Sequence, residues 1–365
     1  MKIVEIIPQL SSGGAERFVV DLCNELSKRH EVRLIVFYDI FEHGFYVNEL
    51  STEVNLICLH KNKGFSLPLM KKLYAAVEEI NPDIVHLHTR AINYAWPFIL
   101  QNKRIKSFMT IHNSAEKEAG GIFERAVRKY CFGNKHITPV TISEESLNSF
   151  VEYYGYAAPM IPNGRNVDDR LVVSDEVADE FKKYKRNDTT KVLVNLARFT
   201  TVKRQDLLSR VADRLSKEGY DLSVLLIGKH LDESVVEKVK TVGCENVHLL
   251  GEKKNPLEYL KLADAFCLCS TYEGMPISLI EAIGLGTIPV CTPVGGIVNV
   301  VNDSNGFLSS DISEESYYLA LKQFLDTDSD ELQEMKKRAR ISYQPYSMTE
   351  CAAKYEALFN EEHEK

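Results

Sequence analysis

Short apolar runs alternate with amphipathic stretches through most of this sequence, and the alternation occurs twice. In the first half, the runs that predict strands are 2–7, 31–38, 54–59, 83–88, 106–112 and 137–143. In the second half they are 191–198, 222–228, 247–251, 264–270 and 287–292. Amphipathic helices are predicted between them, for example over 15–29 and 205–219. This alternation predicts an α/β fold whose parallel sheets are covered by helices on both faces.

A break in the alternation predicts two domains within the 365 residues. The polar stretch 167–190 separates the two series, and we place the boundary there. We expect Rossmann-like doubly wound domains at 1–167 and 168–342, followed by a helical tail whose last part, 343–365, packs back toward the first domain. If the two domains face each other, the carboxyl ends of both sheets line a central cleft, and ligands of open α/β sheets bind at such edges.

Charge and cysteine usage exclude some classes of function. The net charge is −8; residues 1–167 carry 19 Lys and Arg against 18 Asp and Glu, and the remainder carries 25 against 34. An acidic second half disfavours nucleic acid as a partner. Residues 1–14 lack the pattern of a signal peptide, and no apolar run is long enough to predict a spanning helix. The eight cysteines contain no C-x-x-C pair, so we expect reduced thiols in a cytoplasmic protein.

Residues 271–286, TYEGMPISLIEAIGLG, combine two glutamates with a turn and an apolar helix. The predicted strand 264–270 ends just before them, so Glu273 is expected in the loop at the mouth of the cleft. Pro276 suits the first turn of the following helix, where a missing N–H costs nothing. The pattern predicts that Ile277, Ile280 and Ile283 lie along the buried side of that helix, with Glu281 about one turn inside it.

The N-terminus of this helix is a potential anion site, and carboxylates accept hydrogen bonds from sugar hydroxyls. One ligand could therefore place a hydroxylated group at Glu273, a phosphate at the helix start and a ribose at Glu281. Such a ligand is a nucleotide sugar. The alternative from the residues alone is a solvated loop acid and a helical glutamate with a local partner, since short motifs also match by chance.

Several motifs together resemble one family. The stretch 273–281 resembles the E-x7-E signature of the retaining glycosyltransferases of GT-B fold, the group 1 or family 4 type, which includes bacterial mannosyl- and N-acetylhexosaminyltransferases. Further matches follow in the family's order: SSGGAE at 11–16, IPNGRN at 161–166, LARFTTVKRQDLL at 196–208, PVGG at 293–296 and NGFL at 305–308. The resemblance covers nearly the whole chain and implies a GT-B fold.

For the second domain, the resemblance implies that Glu273 holds hydroxyls of the transferred sugar, that Glu281 holds the ribose, and that Arg198 and Lys203 grip the diphosphate. Both cations follow a predicted strand and can reach the cleft, although solvated surface cations are the alternative. The donor-binding loop implied by the resemblance consists of Gly274, Met275, Pro276 and Ile277.

For the first domain, the resemblance implies that Gly13 and Gly14 let a loop approach the donor closely, and that His112 contacts the donor sugar. A glycine pair also suits a plain strand-to-helix turn, and a histidine at a strand end is more often structural. Departures from the family pattern occur at Lys229 and His230, where a second glycine is frequent. A Pro-Glu pair is frequent where this chain has Val298 and Asn299.

Two further patterns resemble metal sites. His86 and His88 share one face of a strand, but no third ligand with metal-like spacing follows, so zinc is disfavoured. Asp326, Asp328 and Asp330 lack the glycine and the final acid of a calcium loop, and we interpret them as a solvated, helix-capping turn. No metal and no cofactor is predicted.

The resulting prediction is a retaining, metal-independent hexosyl- or N-acetylhexosaminyltransferase that uses a UDP-linked or related nucleotide sugar. Its expected acceptor is a saccharide or lipid-linked saccharide of a bacterial surface-polysaccharide, glycolipid or glycan pathway. The alternatives are a nucleotide-sugar epimerase on the same fold and a sugar-nucleotide sensor without turnover. A nicotinamide dehydrogenase is disfavoured, because no G-x-G-x-x-G follows either first strand.

Residues 121–132, GIFERAVRKYCF, predict a basic amphipathic helix. One side is expected to carry the apolar residues Ile122, Phe123, Ala126, Val127 and Tyr130. Another side is expected to carry Arg125, Arg128 and Lys129. Such a helix is typical of proteins that bind peripherally to an anionic membrane surface, here its inner face. The alternative is an ordinary helix that packs its apolar side on the sheet and exposes its charges.

Overall fold

The structure is a computed structural model, and it describes residues 1–361 except for the side chain of Glu42. Within these residues the chain forms two compact units. The first unit contains residues 1–166 together with 346–361, and the second contains 167–345. The polar stretch 167–190 therefore lies wholly in the second unit, and the boundary between the units falls at its first residue.

The strands of the described chain are β1 Lys2–Ile7, β2 Glu31–Val36, β3 Asn55–Cys58, β4 Ile84–His88, β5 Lys106–Ile111, β6 Thr138–Thr141, β7 Lys191–Leu196, β8 Leu222–Ile227, β9 Val247–Gly251, β10 Ala265–Leu268, β11 Ile288–Cys291 and β12 Phe307–Leu308. The eleven predicted strands are all present, each within two residues of its predicted ends. The sequence pattern missed β12, because two residues are too few to show a strand period.

The helices of the described chain are α1 Gly14–Leu26, α2 Ile40–His43, α3 Leu67–Ile80, α4 Ile92–Gln101, α5 Ala115–Ala119, α6 Ile122–Gly133, α7 Glu144–Tyr154, α8 Asp175–Lys182, α9 Gln205–Lys217, α10 Glu233–Val242, α11 Pro256–Leu262, α12 Ile277–Leu285, α13 Ile297–Val300, α14 Glu314–Asp326, α15 Ser329–Ser342 and α16 Met348–Asn360. Short 3-10 turns lie at Val47–Glu49 and Gln344–Tyr346. The last residues of the predicted tail, 362–365, lie outside the described part.

Each unit has a parallel six-stranded sheet with the same order of strands. The first sheet runs β3-β2-β1-β4-β5-β6, and the second runs β12-β11-β10-β7-β8-β9. In both, the first strand of the unit lies beside the fourth, so the strand order reverses between β1 and β4 and between β7 and β10. This confirms the predicted doubly wound α/β architecture, and loops at such a reversal point are where open α/β sheets bind ligands.

Local sequence explains why these elements form and what they bury. In α9, Leu207, Leu208, Val211 and Leu215 repeat at helical spacing, and all four are buried against the second sheet. The helix α12 differs, because every residue from Leu279 to Leu285 is buried. The predicted burial of Ile277, Ile280 and Ile283 is confirmed, and the other sides of the helix are buried as well. A helix that is apolar all round is enclosed by the protein on all sides.

The two ends of the chain segment 164–174 are held by specific contacts within their own units. In the first unit, a Cβ on Gly164 would lie 2.5 Å from the Cβ of Cys351, so only glycine lets this turn approach the start of α16. The helix α16 also packs against α1. In the second unit, the backbone N–H and hydroxyl of Ser174 donate to Glu258, which anchors the start of α8.

Candidate active site

The loops at the reversal point of the second sheet carry three of the predicted site residues. Arg198 and Lys203 lie in the loop after β7, and Glu273 lies in the loop after β10. The two loops are joined directly, because the N–H of Thr271 donates to the carbonyl of Val202 at 2.9 Å. Neighbouring strand ends therefore place a carboxylate and two cations at one edge of the sheet.

Glu273 is buried, with 6% of its surface exposed, rather than standing in a solvated loop. Its Oε1 accepts hydrogen bonds from Nζ of Lys203 and Oγ of Ser270, each at 2.5 Å. A buried carboxylate needs such partners to remain charged. The ammonium of Lys203 has three donors, so the ion pair leaves it capacity for a phosphate oxygen. Arg198 is exposed.

Pro276 precedes α12 as its N-cap residue, with φ −70° and ψ 122°, so its predicted place inside the first turn is wrong by one position. Its carbonyl accepts from the N–H groups of Leu279 and Ile280 at 3.2 and 3.3 Å. The first N–H groups of a helix have no acceptor within that helix, so those of Ile277 and Ser278 point toward the loop end of α12. Glu281 follows as the fifth residue of α12 and is 7% exposed.

A second loop, which the sequence analysis assigned no role, packs tightly on the Glu273 loop. Gly295 has φ +56°, and a Cβ there would lie 1.9 Å from the carbonyl oxygen of Glu273. The N–H of Gly296 donates to the carbonyl of Gly274 at 2.5 Å, and a Cβ on Gly296 would meet both Gly274 and Met275. The glycine pair of the PVGG motif was the signal in the sequence that could have indicated this loop, because only residues without a Cβ permit its contact with the Glu273 loop.

The departures from the family pattern at Lys229 and His230 lie against the Arg198 loop. The N–H of Phe199 donates to the carbonyl of Lys229 at 2.9 Å, and the rings of Phe199 and His230 are 4.6 Å apart. A Cβ on Gly228, at φ +153°, would lie 2.0 Å from the carbonyl oxygen of Ala197. This contact fixes the path of the backbone that leads to Arg198.

In the first unit, Gly13 and Gly14 join β1 to α1. Gly13 is buried, and it caps α1 in an extended conformation that any residue can adopt. A Cβ there would lie 2.3 Å from a carboxylate oxygen of Glu16, so glycine leaves room for that side chain. Gly14 is exposed as the first residue of α1. Both lie at the reversal point of the first sheet.

His112 follows β5, and it is half-buried. Its Nε2 lies 2.9 Å from Nδ1 of His88, whose Nε2 lies 2.7 Å from Oε2 of Glu5. Nδ1 of His86 lies 2.9 Å from the same carboxylate oxygen, and its Nε2 lies 2.8 Å from the hydroxyl of Thr110. A chain of hydrogen bonds therefore leads from β1 through β4 to the predicted sugar-contacting histidine.

Burial and the neighbouring rings shift the pKa values of this chain. Burial alone would raise the pKa of Glu5, but the charge and hydrogen bonds of His86 and His88 outweigh it and lower the pKa to about 2. Burial and electrostatic interaction with His86 lower the pKa of His88 to about 4. Burial and the two other rings hold the pKa of His112 well below its usual range. At neutral pH the carboxylate is ionised, and His88 and His112 are neutral.

The expectation that no third candidate ligand lies near His86 and His88 is wrong. Glu5 pairs with His86 in register across β1 and β4, and the three side chains lie within 4.8 Å of one another, fully buried. Such a set could hold a metal ion by distance alone. The nitrogens that face Glu5 lie at hydrogen-bonding distances from it, and the opposite nitrogens have Thr110 and His112 as partners, so we assign the cluster to hydrogen bonding.

The Asp326–Asp330 segment contains a helix cap, as predicted. The carboxylate of Asp328 accepts from the N–H groups of Asp330 and Glu331 at the start of α15. Asp326 accepts from the hydroxyl of Tyr220 at 2.6 Å. All eight cysteines of the chain lie in the described part and are free thiols.

The predicted membrane helix corresponds to α6, but its faces differ from both expectations. Arg128, expected among the outward basic residues, is 1% exposed; it donates to the carbonyl of Thr89 and lies 3.8 Å from Glu118. Ile122 and Phe123 are instead 91% and 66% exposed. Of the predicted apolar side, the partly buried Val127 packs against the core, together with Cys131 and Phe132 at the helix end. The start of α6 is left apolar and uncovered.

Among residues 1–361, no helix combines the length and the apolar character needed to cross a membrane.

The two sheets have the strand order of doubly wound α/β domains, and comparison with known proteins shows which family of such proteins the chain belongs to. The family model described as "Glycosyltransferase Family 4" matches residues 12–195, and "Glycosyl transferases group 1" matches residues 176–342. The first of these covers more than half of the chain. The protein therefore belongs to glycosyltransferase family 4.

Individual relatives span the whole chain at low identity. N-acetyl-alpha-D-glucosaminyl L-malate synthase of Bacillus anthracis is 24% identical over 96% of this chain and 94% of its own. An N-acetylgalactosamine-N,N'-diacetylbacillosaminyl-diphospho-undecaprenol 4-alpha-N-acetylgalactosaminyltransferase of Campylobacter jejuni is 24% identical over 90% and 91%. The crystal structure of Anabaena Alr3699/HepE with UDP-glucose has a TM-score of 0.81 at 18% identity, covering 98% of this chain and 99% of that one.

Proposed function

We propose that this glycosyltransferase moves a hexosyl or N-acetylhexosaminyl group from a UDP sugar to an acceptor hydroxyl, with retention of anomeric configuration. The observation that carries the proposal is the ion pair between the half-buried Lys203 and the buried Glu273 at the reversal point of the second sheet, next to the N-terminus of α12. This arrangement offers a cation and helix amides for a diphosphate, and a carboxylate for sugar hydroxyls. Retention rests on the resemblance of residues 273–281 to the E-x7-E signature.

The proposed residue roles follow from this arrangement. Lys203 and Arg198 stabilise the charge that develops on the leaving diphosphate, assisted by the amides of Ile277 and Ser278. Glu273 orients the transferred sugar, and Glu281 accepts from the ribose diol. The departing phosphate takes the proton of the acceptor hydroxyl, which attacks from the same side, so the bond to the leaving oxygen breaks as the new glycosidic bond forms. His112 contacts a hydroxyl of the transferred sugar.

The proposed acceptor is a saccharide, either free or linked to a lipid, in the biosynthesis of a bacterial surface polysaccharide, glycolipid or glycan. The relative from Campylobacter jejuni is named for a diphospho-undecaprenol substrate, which supports the lipid-linked form. The HepE structure contains UDP-glucose, which supports a UDP-linked donor.

A donor-hydrolysis screen tests the proposed activity. Each nucleotide sugar of a panel is incubated with the protein, and released nucleoside diphosphate is measured; at least one UDP sugar is expected to give turnover. Lys203→Met should lower that rate by about tenfold or more, since one charged hydrogen bond is lost. Lys217→Met is the matched control, because Lys217 is an exposed lysine of α9 paired with Asp213. Turnover that is equal in both variants would remove Lys203 from the site.

We also propose that α6 docks on an anionic lipid surface. Its exposed Ile122 and Phe123 supply apolar insertion, and Arg125 and Lys129, both exposed, lie on the same outer part of the helix. Each basic residue near an anionic bilayer contributes about 1 kcal/mol, which added salt weakens. Arg128 is excluded from this surface because it is buried.

Vesicle cosedimentation at low and high salt tests this docking. The wild type should pellet with anionic vesicles at low salt and less with neutral ones. The double variant Ile122→Ser, Phe123→Ser should lose this binding, whereas Ile341→Ser should keep it, since Ile341 is an equally apolar residue, 70% exposed, in the second unit. Equal pelleting with anionic and neutral vesicles, or no effect of the double variant, contradicts the proposal.

A further inference from the structure

The buried chain of Glu5, His88 and His112 has an orientation that hydrogen-bond chemistry determines. An ionised carboxylate can only accept, so Nε2 of His88, 2.7 Å from Oε2 of Glu5, must carry a proton. A neutral imidazole has one N–H, which leaves Nδ1 of His88 as an acceptor. That atom lies 2.9 Å from Nε2 of His112, so His112 must donate from Nε2.

From this geometry we infer that Glu5 is a positioning residue that, through His88, holds His112 in the neutral form protonated at Nε2. The remaining ring nitrogen of His112, Nδ1, is then an acceptor. Its hydrogen-bond partner is therefore a donor, such as a sugar hydroxyl, rather than a phosphate or carboxylate oxygen. The inference deepens the proposed function by stating which partner donates the hydrogen bond between His112 and the sugar. Only the turnover measurement below rests on the proposed function.

The surroundings make this orientation persistent. Glu5, His86 and His88 have no exposed surface, so the hydrogen bond between Glu5 and His88 is shielded from water. The ring of Phe18 lies edge-on to His112 and His88, at 5.5 and 6.1 Å between centroids, and covers the chain from the side of α1. In such a low dielectric each hydrogen bond is stronger, and an unpaired group is costly.

The other arm of the network provides a built-in control. Nδ1 of His86 donates to Glu5, and its Nε2 lies 2.8 Å from the hydroxyl of Thr110, which in turn lies 2.7 Å from the hydroxyl of Tyr355. This arm shares the carboxylate but does not lead to His112. Removing the hydroxyl of Thr110 should therefore leave the tautomer of His112 unchanged.

Nitrogen-15 NMR of histidine-labelled protein at neutral pH tests the inference without any substrate. His88 and His112, assigned by comparison with His88→Gln and His112→Gln, should each show one protonated Nε2 and one bare Nδ1. A His112 ring protonated at Nδ1, or at both nitrogens, overturns the inference. This measurement needs no variant at Glu5, so it decides even if such a variant does not fold.

Two variants then test the coupling. Glu5→Met removes both acceptor oxygens, so His112 should show a mixture of tautomers; Thr110→Val should leave it protonated at Nε2. With a UDP sugar that the wild type turns over, Glu5→Met should lower kcat about ten- to a hundredfold, the range for one hydrogen bond of this kind. The dissociation constant of UDP, which is assigned to the second unit, should not change. A folded Glu5→Met protein with an unchanged His112 tautomer refutes the coupling.

The result separates this inference from the proposed function. A wild-type His112 that is not protonated at Nε2, or a Glu5→Met variant with an unchanged His112 tautomer, refutes the positioning role whether or not the protein is a transferase. Absence of turnover with every nucleotide sugar refutes the proposed function and leaves the tautomer result standing.

Discussion

Replacing Gly295 with alanine perturbs the wall of the proposed donor site without touching any proposed catalytic side chain. The glycine has φ +56°, a conformation that costs other residues about 1–2 kcal/mol. The added Cβ would also lie 1.9 Å from the carbonyl oxygen of Glu273, whereas such contacts are not found below 3.0 Å. The loop of Glu273 must therefore retreat by about 1 Å, and a displacement of that size lowers catalysis by about a hundredfold.

Gly243 supplies the matched control for this variant. It lies in the same unit with a similar φ of +65°, but a Cβ there would meet no atom within 4 Å. Gly243→Ala should therefore lose about 1–2 kcal/mol of unfolding free energy and keep wild-type turnover. Gly295→Ala should lose more stability and about a hundredfold in turnover.

The assay combines urea unfolding of both variants with their rates of nucleoside diphosphate release. If Gly295→Ala turns over its donor at a rate within a few-fold of Gly243→Ala, the close packing of the two loops does not position Glu273. If both variants lose turnover equally, the loss comes from backbone strain in general and not from this contact.

Three further results are expected. Glu281→Ala should weaken UDP binding about ten- to a hundredfold, because the ribose diol loses an acceptor; equal affinities by calorimetry in a folded variant would remove Glu281 from the site. Turnover should survive EDTA, because Arg198 and Lys203 are assigned the charge stabilisation, and complete loss restored by Mg²⁺ or Mn²⁺ would contradict this. Burial raises the pKa of Glu118 to about 7, although Arg128 opposes the shift. Because the carboxyl group ionises more readily in the unfolded chain, the free energy of unfolding should fall by about 3 kcal/mol as the pH rises from about 4.5 to 7. Glu118→Gln should flatten that decline, and an unchanged slope in urea titrations across this range would show that another group causes it.

The local pattern of the sequence determined most of the fold. Strand runs such as 2–7 and 84–88, separated by amphipathic helices, are sufficient to specify parallel sheets covered on both faces, because burial on two faces requires continuous apolar runs. The order of the motifs then indicated the family, and the family models agree with it. The glycine pair at 295–296 was visible as a motif, but its reason, the approach to the Glu273 loop, was not.

The tertiary structure alone decided which distant residues meet. Glu5 and His86 are 81 positions apart, and they face each other only because β1 and β4 pair at the reversal point of the sheet. A parallel partner strand is reached through a crossover, so its register leaves no trace in local periodicity. Arg128 shows the same limit: helical spacing placed it on a solvated face, whereas the packing of α6 buries it beside Glu118. Periodicity shows how polar and apolar residues alternate along a segment. Which residues pack against each face of that segment is decided by the assembled sheet and helices.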